Sequence, residues 1–124
     1  YPGNDADDEK YVSDYLALVD KLKAKNAESV FVVMNCPACY RVTSYDSTRV
    51  RTVQAQVAQL MKDRGDAVYF YDMYTYTKEN LGSENFPDQL HPSDEGYALM
   101  ADGVYAMLQG IWSGKADSYM IPLA

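Results

Sequence analysis

Asp88-Gln89-Leu90-His91-Pro92 places a carboxylate three residues before the single histidine of the chain. An imidazole titrates near neutral pH and moves protons there. A carboxylate beside it fixes its tautomer and stabilises its charged form. Asp88 and His91 therefore read as two thirds of a hydrolytic triad, with a serine as the missing third. Ser93-Asp94-Glu95-Gly96-Tyr97 follows at once and reads as the start of a helix. Taken alone, an Asp-x-x-His ahead of a helix also fits a capping arrangement with no catalysis.

Cys36-Pro37-Ala38-Cys39 is the second pattern with chemical content. A redox CxxC opens a helix close to the first strand of a βαβ unit. This one follows an apolar strand, but Tyr40-Arg41-Val42-Thr43-Ser44 has no helical pattern. A zinc site takes about four ligands, and the chain offers two thiols and one distant histidine. The pattern is read as a local disulfide between Cys36 and Cys39 or as two loop thiols, ahead of redox or metal chemistry. Asp5, Asp7, Asp8 and Glu9 lack the alternating ligands of a calcium loop and read as a solvated helix start. No cofactor is expected.

Helices and strands must hold these residues in place, and the hydrophobic pattern marks where. Asp7 and Asp8 suit a helix N-terminus. Tyr11, Val12, Tyr15, Leu16, Leu18, Val19 and Leu22 then recur at helical spacing, fading near Lys25-Asn26. The run over 29–34 is apolar and β-branched, which predicts a buried parallel strand. A loop is expected over 35–46. Ser47 is a good N-cap for a helix with the stripe Val50, Val53, Val57, Leu60 and Met61, ended by Gly65. Residues 67–71 read as a second buried strand, and 72–92 as a long polar loop. Ser93 caps a third helix that buries Tyr97, Met100, Ala101, Val104, Met107 and Leu108. Residues 112–124 read as a tail. Helices alternating with buried strands imply a parallel sheet covered on both faces. Two strands are too few for such a sheet, so the pattern looks like the C-terminal half of a larger α/β domain.

The bulk composition narrows the partners. In 124 residues there are 11 basic and 18 acidic side chains, a net charge of −7. Nucleic-acid binding needs clustered Lys and Arg on phosphates, so that class is disfavoured, as is docking on anionic lipid. No apolar run approaches the roughly 20 residues that span a bilayer. Twelve tyrosines are many. They are read as packing on a sheet and its edges, ahead of a carbohydrate platform. The start at Tyr1, with neither methionine nor a signal-like stretch, is read as processing or as a piece of something longer.

The block from Asp88 to Pro92, with Gly96-Tyr97 after it, resembles the last conserved block of the SGNH hydrolases, the GDSL esterase/lipase family. The spacing of carboxylate and histidine, the helix opened by Pro92-Ser93 and the C-terminal placement carry the resemblance. It implies that Asp88 and His91 are the triad aspartate and histidine. Gly3-Asn4-Asp5 is similar to the family's Gly-x-Asn-Asp block, one residue short. That implies an oxyanion-hole role for Asn4. The resemblance covers residues 3 to about 111. It implies a three-layer α/β/α, flavodoxin-like parallel sheet, with residues 1–124 as the C-terminal part of one domain. The family's Gly-Asp-Ser nucleophile block is absent from the sequence, so the serine is expected on a missing N-terminal segment or a second chain. The implied function is carboxylic ester hydrolysis by a serine esterase, acting on a small-molecule or carbohydrate ester, acetylated carbohydrate being a reasonable class. The 124 residues alone are expected to be inactive. An acidic, tyrosine-rich chain with a candidate disulfide suits a secreted, extracellular enzyme. The rival reading is a non-catalytic SGNH-like binding module or pseudoenzyme. A flavodoxin-like or response-regulator-like signalling domain is less favoured, because no phosphate loop or acidic pocket is seen at the strand ends.

Overall fold

The computed structural model describes residues 2–40 and 46–124. The expected loop over 35–46 falls in part on 41–45, outside the described residues. The chain is α/β and divides into two compact units. One gathers the described residues of Tyr1–Asn35, Ser47–Tyr71 and Ile121–Ala124, the other those of Cys36–Asp46 and Asp72–Met120.

In the first unit, helix α1 runs over Asp5–Lys25 and strand β1 over Phe31–Met34. Helix α2 spans Thr48–Asp63 and strand β2 Val68–Tyr71. The helix starts earlier than the pattern predicts because Asn4 caps it: its Oδ1 accepts from the Asp7 N–H at 3.0 Å. Asp5, Asp7 and Asp8 in the first turn and Lys23 and Lys25 in the last oppose the helix dipole at both ends. Arg49 on α2 reaches Asp5 at 3.0 Å and Asp8 at 2.8 Å, tying the two helices together.

Strands β1 and β2 pair in parallel, Phe31 opposite Val68 and Val33 opposite Phe70. Those four residues point one way and join Val19, Val57, Ala58 and Met61 in the core. Val57, Ala58 and Met61 are fully buried. At about 1.5–3 kcal/mol for each large side chain removed from water, this stripe of α2 drives the unit together. The opposite face carries Val32, Met34, Tyr69 and Tyr71, of which Met34 and Tyr69 stay exposed. A short strand β3, Met120–Ile121, lies beside β2 and completes the order β1-β2-β3. It lies in what the pattern reads as a tail, and two residues are too few to show any alternation.

Gly65 ends α2 at φ +90°. Its N–H donates to Lys62 O, and the Asp66 N–H to Met61 O at 2.9 Å, a Schellman closure. Asp66 is thereby turned inward, its side chain buried, where it meets Lys23 and Arg64. Burial pushes its carboxyl pKa up, but hydrogen bonds from Lys23 and Arg64 pull it down further, for a net lowering. Ser47 precedes α2 but makes no capping bond; its Oγ accepts from Arg51 Nε instead.

The second unit corrects the sequence reading of 72–92 as one polar loop. Helix α3 occupies Met73–Asn80, and a 3-10 turn follows at Ser83–Asn85. Asp72 starts α3, accepting from the Thr75 N–H at 3.0 Å and the Thr75 hydroxyl at 2.6 Å. The run of tyrosines and threonines has weak intrinsic helix preference, so the helix depends on that cap and on packing. Met73 and Thr77 are buried, and α3 packs on helix α4, Asp94–Ser113. Gly103 on α4 makes room for the Tyr76 ring, whose hydroxyl donates to Leu99 O at 2.5 Å. Tyr119 meets that ring edge-on, with centroids 5.2 Å apart. Tyr76 thus packs on α4 and against Tyr119, not on the sheet expected for the tyrosines. On α4, Tyr97, Tyr105 and Trp112 project into solvent, so Tyr97 and the exposed Ala101 are not on the buried face expected for them. Ser93 Oγ accepts from the Gly96 N–H, and Gly114, at φ +71°, closes the far end as C-cap.

Candidate active site

Asp88 and His91 sit on the stretch between the 3-10 turn and α4, in the second unit. The base of this loop is closed by the Ser93 N–H donating to Asn85 O at 2.7 Å. Asn85 is itself buried, and its Oδ1 accepts from the Gly82 N–H. Gly96 lies directly beneath: a Cβ there would stand 2.9 Å from Asn85 O and 3.1 Å from Pro92 Cβ. Only a glycine lets α4 start this close to the loop.

Pro87 occupies the second position of a turn in which the Gln89 N–H donates to Phe86 O at 2.9 Å. Gln89 then takes φ +66°, the only non-glycine among the described residues in the left-handed region. An L-residue pays roughly 1–2 kcal/mol for that conformation. Its effect is to bring the chain back over Asp88. The Asp88 carboxylate holds the turn from inside: Oδ1 accepts from the Leu90 N–H at 3.0 Å and the His91 N–H at 2.6 Å. Oδ2 lies 2.5 Å from His91 Nδ1. The hydrogen bond with the His91 ring, and after it those from the His91 and Leu90 N–H groups, hold the Asp88 carboxyl well below the usual carboxylate range.

That geometry assigns the tautomer. An ionised carboxylate only accepts, so Nδ1 carries the hydrogen and Nε2 carries the lone pair. Nε2 has no partner among the described residues, and the His91 side chain is 70% exposed, that of Asp88 56%. A pair so open to water adds little stability. What it supplies is orientation: a ring fixed at one nitrogen and available as a base at the other. No serine hydroxyl among the described residues hydrogen-bonds His91. Ser93 Oγ is used as a helix cap, and Ser113 Oγ donates to Gln109 O.

Asn4 belongs to the first unit. Besides its Oδ1 capping bond, its Nδ2 donates to Asp7 Oδ2 at 2.7 Å. Both ends of the amide are engaged with Asp7. Cys36 and Cys39, in the second unit, are half-buried and carry no bond to each other in the structure. Among the described residues, no group of three or more His, Cys, Asp or Glu is placed to hold a metal ion. No helix among them is long and apolar enough to cross a membrane.

The sequence singled out Asp88 and His91 without indicating what holds them. Tyr40 is the residue it passed over: its backbone N–H donates to Gln89 O at 3.0 Å, within the turn that carries the pair. The only sequence signal was an aromatic directly after the second cysteine.

No curated protein and no solved structure matches the chain. A family model does, over residues 2–99, a stretch that contains Asn4, the Asp88–His91 turn and the first turn of α4. With the site's geometry, that match makes this chain a member of the GDSL-like Lipase/Acylhydrolase family, a family of ester hydrolases.

Proposed function

We propose that the chain is the C-terminal part of an SGNH-type serine esterase domain and supplies the aspartate and histidine of its triad. The observation that carries this reading is the Asp88–His91 bond at 2.5 Å, with Nε2 left open to solvent. The nucleophile is a serine on a segment outside these 124 residues, on the same or a second polypeptide. Its Oγ attacks the ester carbonyl while His91 Nε2 takes the hydroxyl proton. Collapse of the tetrahedral intermediate expels the alcohol, which receives that proton. Water then repeats the cycle on the acyl-enzyme. Asp88 keeps Nδ1 protonated throughout and stabilises the imidazolium as it forms.

Asn4 is assigned to the oxyanion hole. Its Nδ2 carries two hydrogens, so one serves the substrate oxygen while the other stays on Asp7 and Oδ1 keeps the cap on α1. The same segment that brings the serine completes a three-layer α/β/α sheet, covering the face on which Met34 and Tyr69 lie exposed. The substrate class is a small-molecule or carbohydrate ester, acetylated carbohydrate among them, and the compartment a secreted one. The competing reading is a pseudoenzyme that keeps the fold and lacks the serine.

Intact-mass analysis and fluorophosphonate labelling of the undissociated natural protein separate the two. A labelled serine on an associated segment, with labelling abolished by His91→Ala in this chain, is the expected result. Absence of any labelled segment, together with no esterase activity, would overturn the assignment and leave the pseudoenzyme.

A further inference from the structure

We propose that Tyr40 is a positioning residue for His91, clamping the turn that holds the Asp88–His91 pair; this rests on the reading of that pair as catalytic. Three contacts carry it, all within the second unit. The Tyr40 hydroxyl donates to Leu81 O at 2.7 Å, at the C-terminal end of α3. Its ring lies against that of Phe86, centroids 5.1 Å apart, and Phe86 is almost completely buried. Its backbone N–H donates to Gln89 O.

Two of these contacts bear on the same turn, and the third ties Tyr40 to the end of α3. Phe86 begins the turn, and its carbonyl accepts from Gln89. Gln89 is the residue held at positive φ, and such a conformation persists only where the surroundings over-determine it. Within the turn, the Gln89 N–H is held by Phe86. Tyr40 holds the carbonyl at the other end of the same residue, from a distant stretch of chain. That stretch is fixed in its own right, because the Ala38 N–H donates to the buried Thr77 Oγ1 at 2.8 Å. Tyr40 thus bonds the carbonyl of Gln89 and packs on Phe86, which bonds the N–H of Gln89, while the Tyr40 hydroxyl is anchored at the end of α3. The carboxylate of Asp88, one residue before, and the ring of His91, two residues after, inherit that alignment. The pair is exposed to water, which competes for the Asp88 oxygens whenever the turn loosens.

The chain has one histidine, so its imidazole resonances need no assignment by mutation. The measurement is the solvent-exchange rate of the His91 Nδ1 hydrogen, with the tautomer ratio read from the ring nitrogen shifts. Tyr40→Ala removes hydroxyl and ring, and exchange is expected to rise roughly tenfold or more, the loss of about one net hydrogen bond together with an aromatic ring contact. Tyr40→Phe keeps the ring and should raise it only about five-fold, the hydrogen bond alone. Tyr119→Phe alters another tyrosine of the same unit, one that bonds Glu79 and Asn80, and should leave exchange unchanged. If Tyr40→Ala does not fold, Tyr40→Phe decides. Wild-type exchange and tautomer ratio in the folded Tyr40 variants would overturn the proposal, as would an equal effect from Tyr119→Phe. The readout needs no turnover. Faster exchange in a natural protein that proves to have no reactive serine would sustain the clamp and overturn the esterase reading.

Discussion

Gly103→Ala sets two effects of opposite sign against each other. Gly103 lies within α4, where alanine is favoured over glycine by about 1 kcal/mol in an exposed helix. Propensity alone therefore predicts stabilisation. A Cβ at this position, however, would stand 2.5–2.7 Å from three ring carbons of Tyr76. Carbon atoms pack at about 3.5–4.0 Å, so the ring must retreat by about 1 Å. It is not free to do so: its hydroxyl is bonded to Leu99 O at 2.5 Å, and the Tyr119 ring stands edge-on against it. Overpacking costs about 1–3 kcal/mol, and a lost hydrogen bond adds about 1 kcal/mol. Less the propensity gain, the net is destabilisation by about 2 kcal/mol. For a chain of this size that is a fall in Tm of roughly 8 °C. Urea unfolding followed by far-UV circular dichroism measures it. In a Tyr76→Ala background the clash disappears, and Gly103→Ala should then stabilise by about 1 kcal/mol. A Gly103→Ala variant more stable than wild type, or the same sign in both backgrounds, would refute the reasoning.

Gly96→Ala meets a backbone atom, Asn85 O, and not a side chain that can swing away; we expect a loss of about 1–3 kcal/mol and displaced His91 ring resonances. Asp66→Asn leaves Lys23 and Arg64 facing a neutral amide. Because those cations are 37% and 31% exposed, the cost should fall below the about 3–5 kcal/mol of a fully buried broken pair, near 2 kcal/mol, read as a shift of the urea midpoint at pH 7. The Asp66 carboxyl is lowered on folding. Its contribution is therefore present above about pH 4 and lost as pH falls through the folded value, so variant and wild type should converge in acid. Asp88 has the same sign: the bond to His91 persists through weak acid and fails only as pH drops well below about 4, which a one-dimensional proton spectrum of the Nδ1 hydrogen follows.

Much of the frame was readable from spacing. The helices α1, α2 and α4 and the two apolar strands lie within a few residues of where periodicity puts them, although Leu18, Leu22, Tyr97 and Ala101 of the expected stripes stay exposed. The contact between Asp88 and His91 was readable because a lone histidine with a carboxylate at i−3 leaves few partners. What was not readable depends on contacts far apart in sequence. The helix α3 follows from the Asp72 cap and from packing on α4, neither of which a run of tyrosines and threonines declares. Strand β3 is set by the neighbour it finds. Asn4 combines two readings in one side chain: an asparagine is also a good N-cap, and its bonds to Asp7 were not legible in the sequence. Tyr40 carries only the weak signal of an aromatic after Cys39, which says nothing of the turn it meets.

Trp112 stands on the outer face of α4, 75% exposed, and it is the only tryptophan in the chain. Its indole is already bathed in water in the folded protein, so its emission is near that of the unfolded chain and is a poor optical record of unfolding. The same exposure makes it a good beacon for association. Any molecule that settles on the outer face of α4 and strips water from that ring will shift its emission to the blue, whereas one that lands elsewhere leaves the spectrum unchanged. A single spectrum therefore maps contact with one side of one helix.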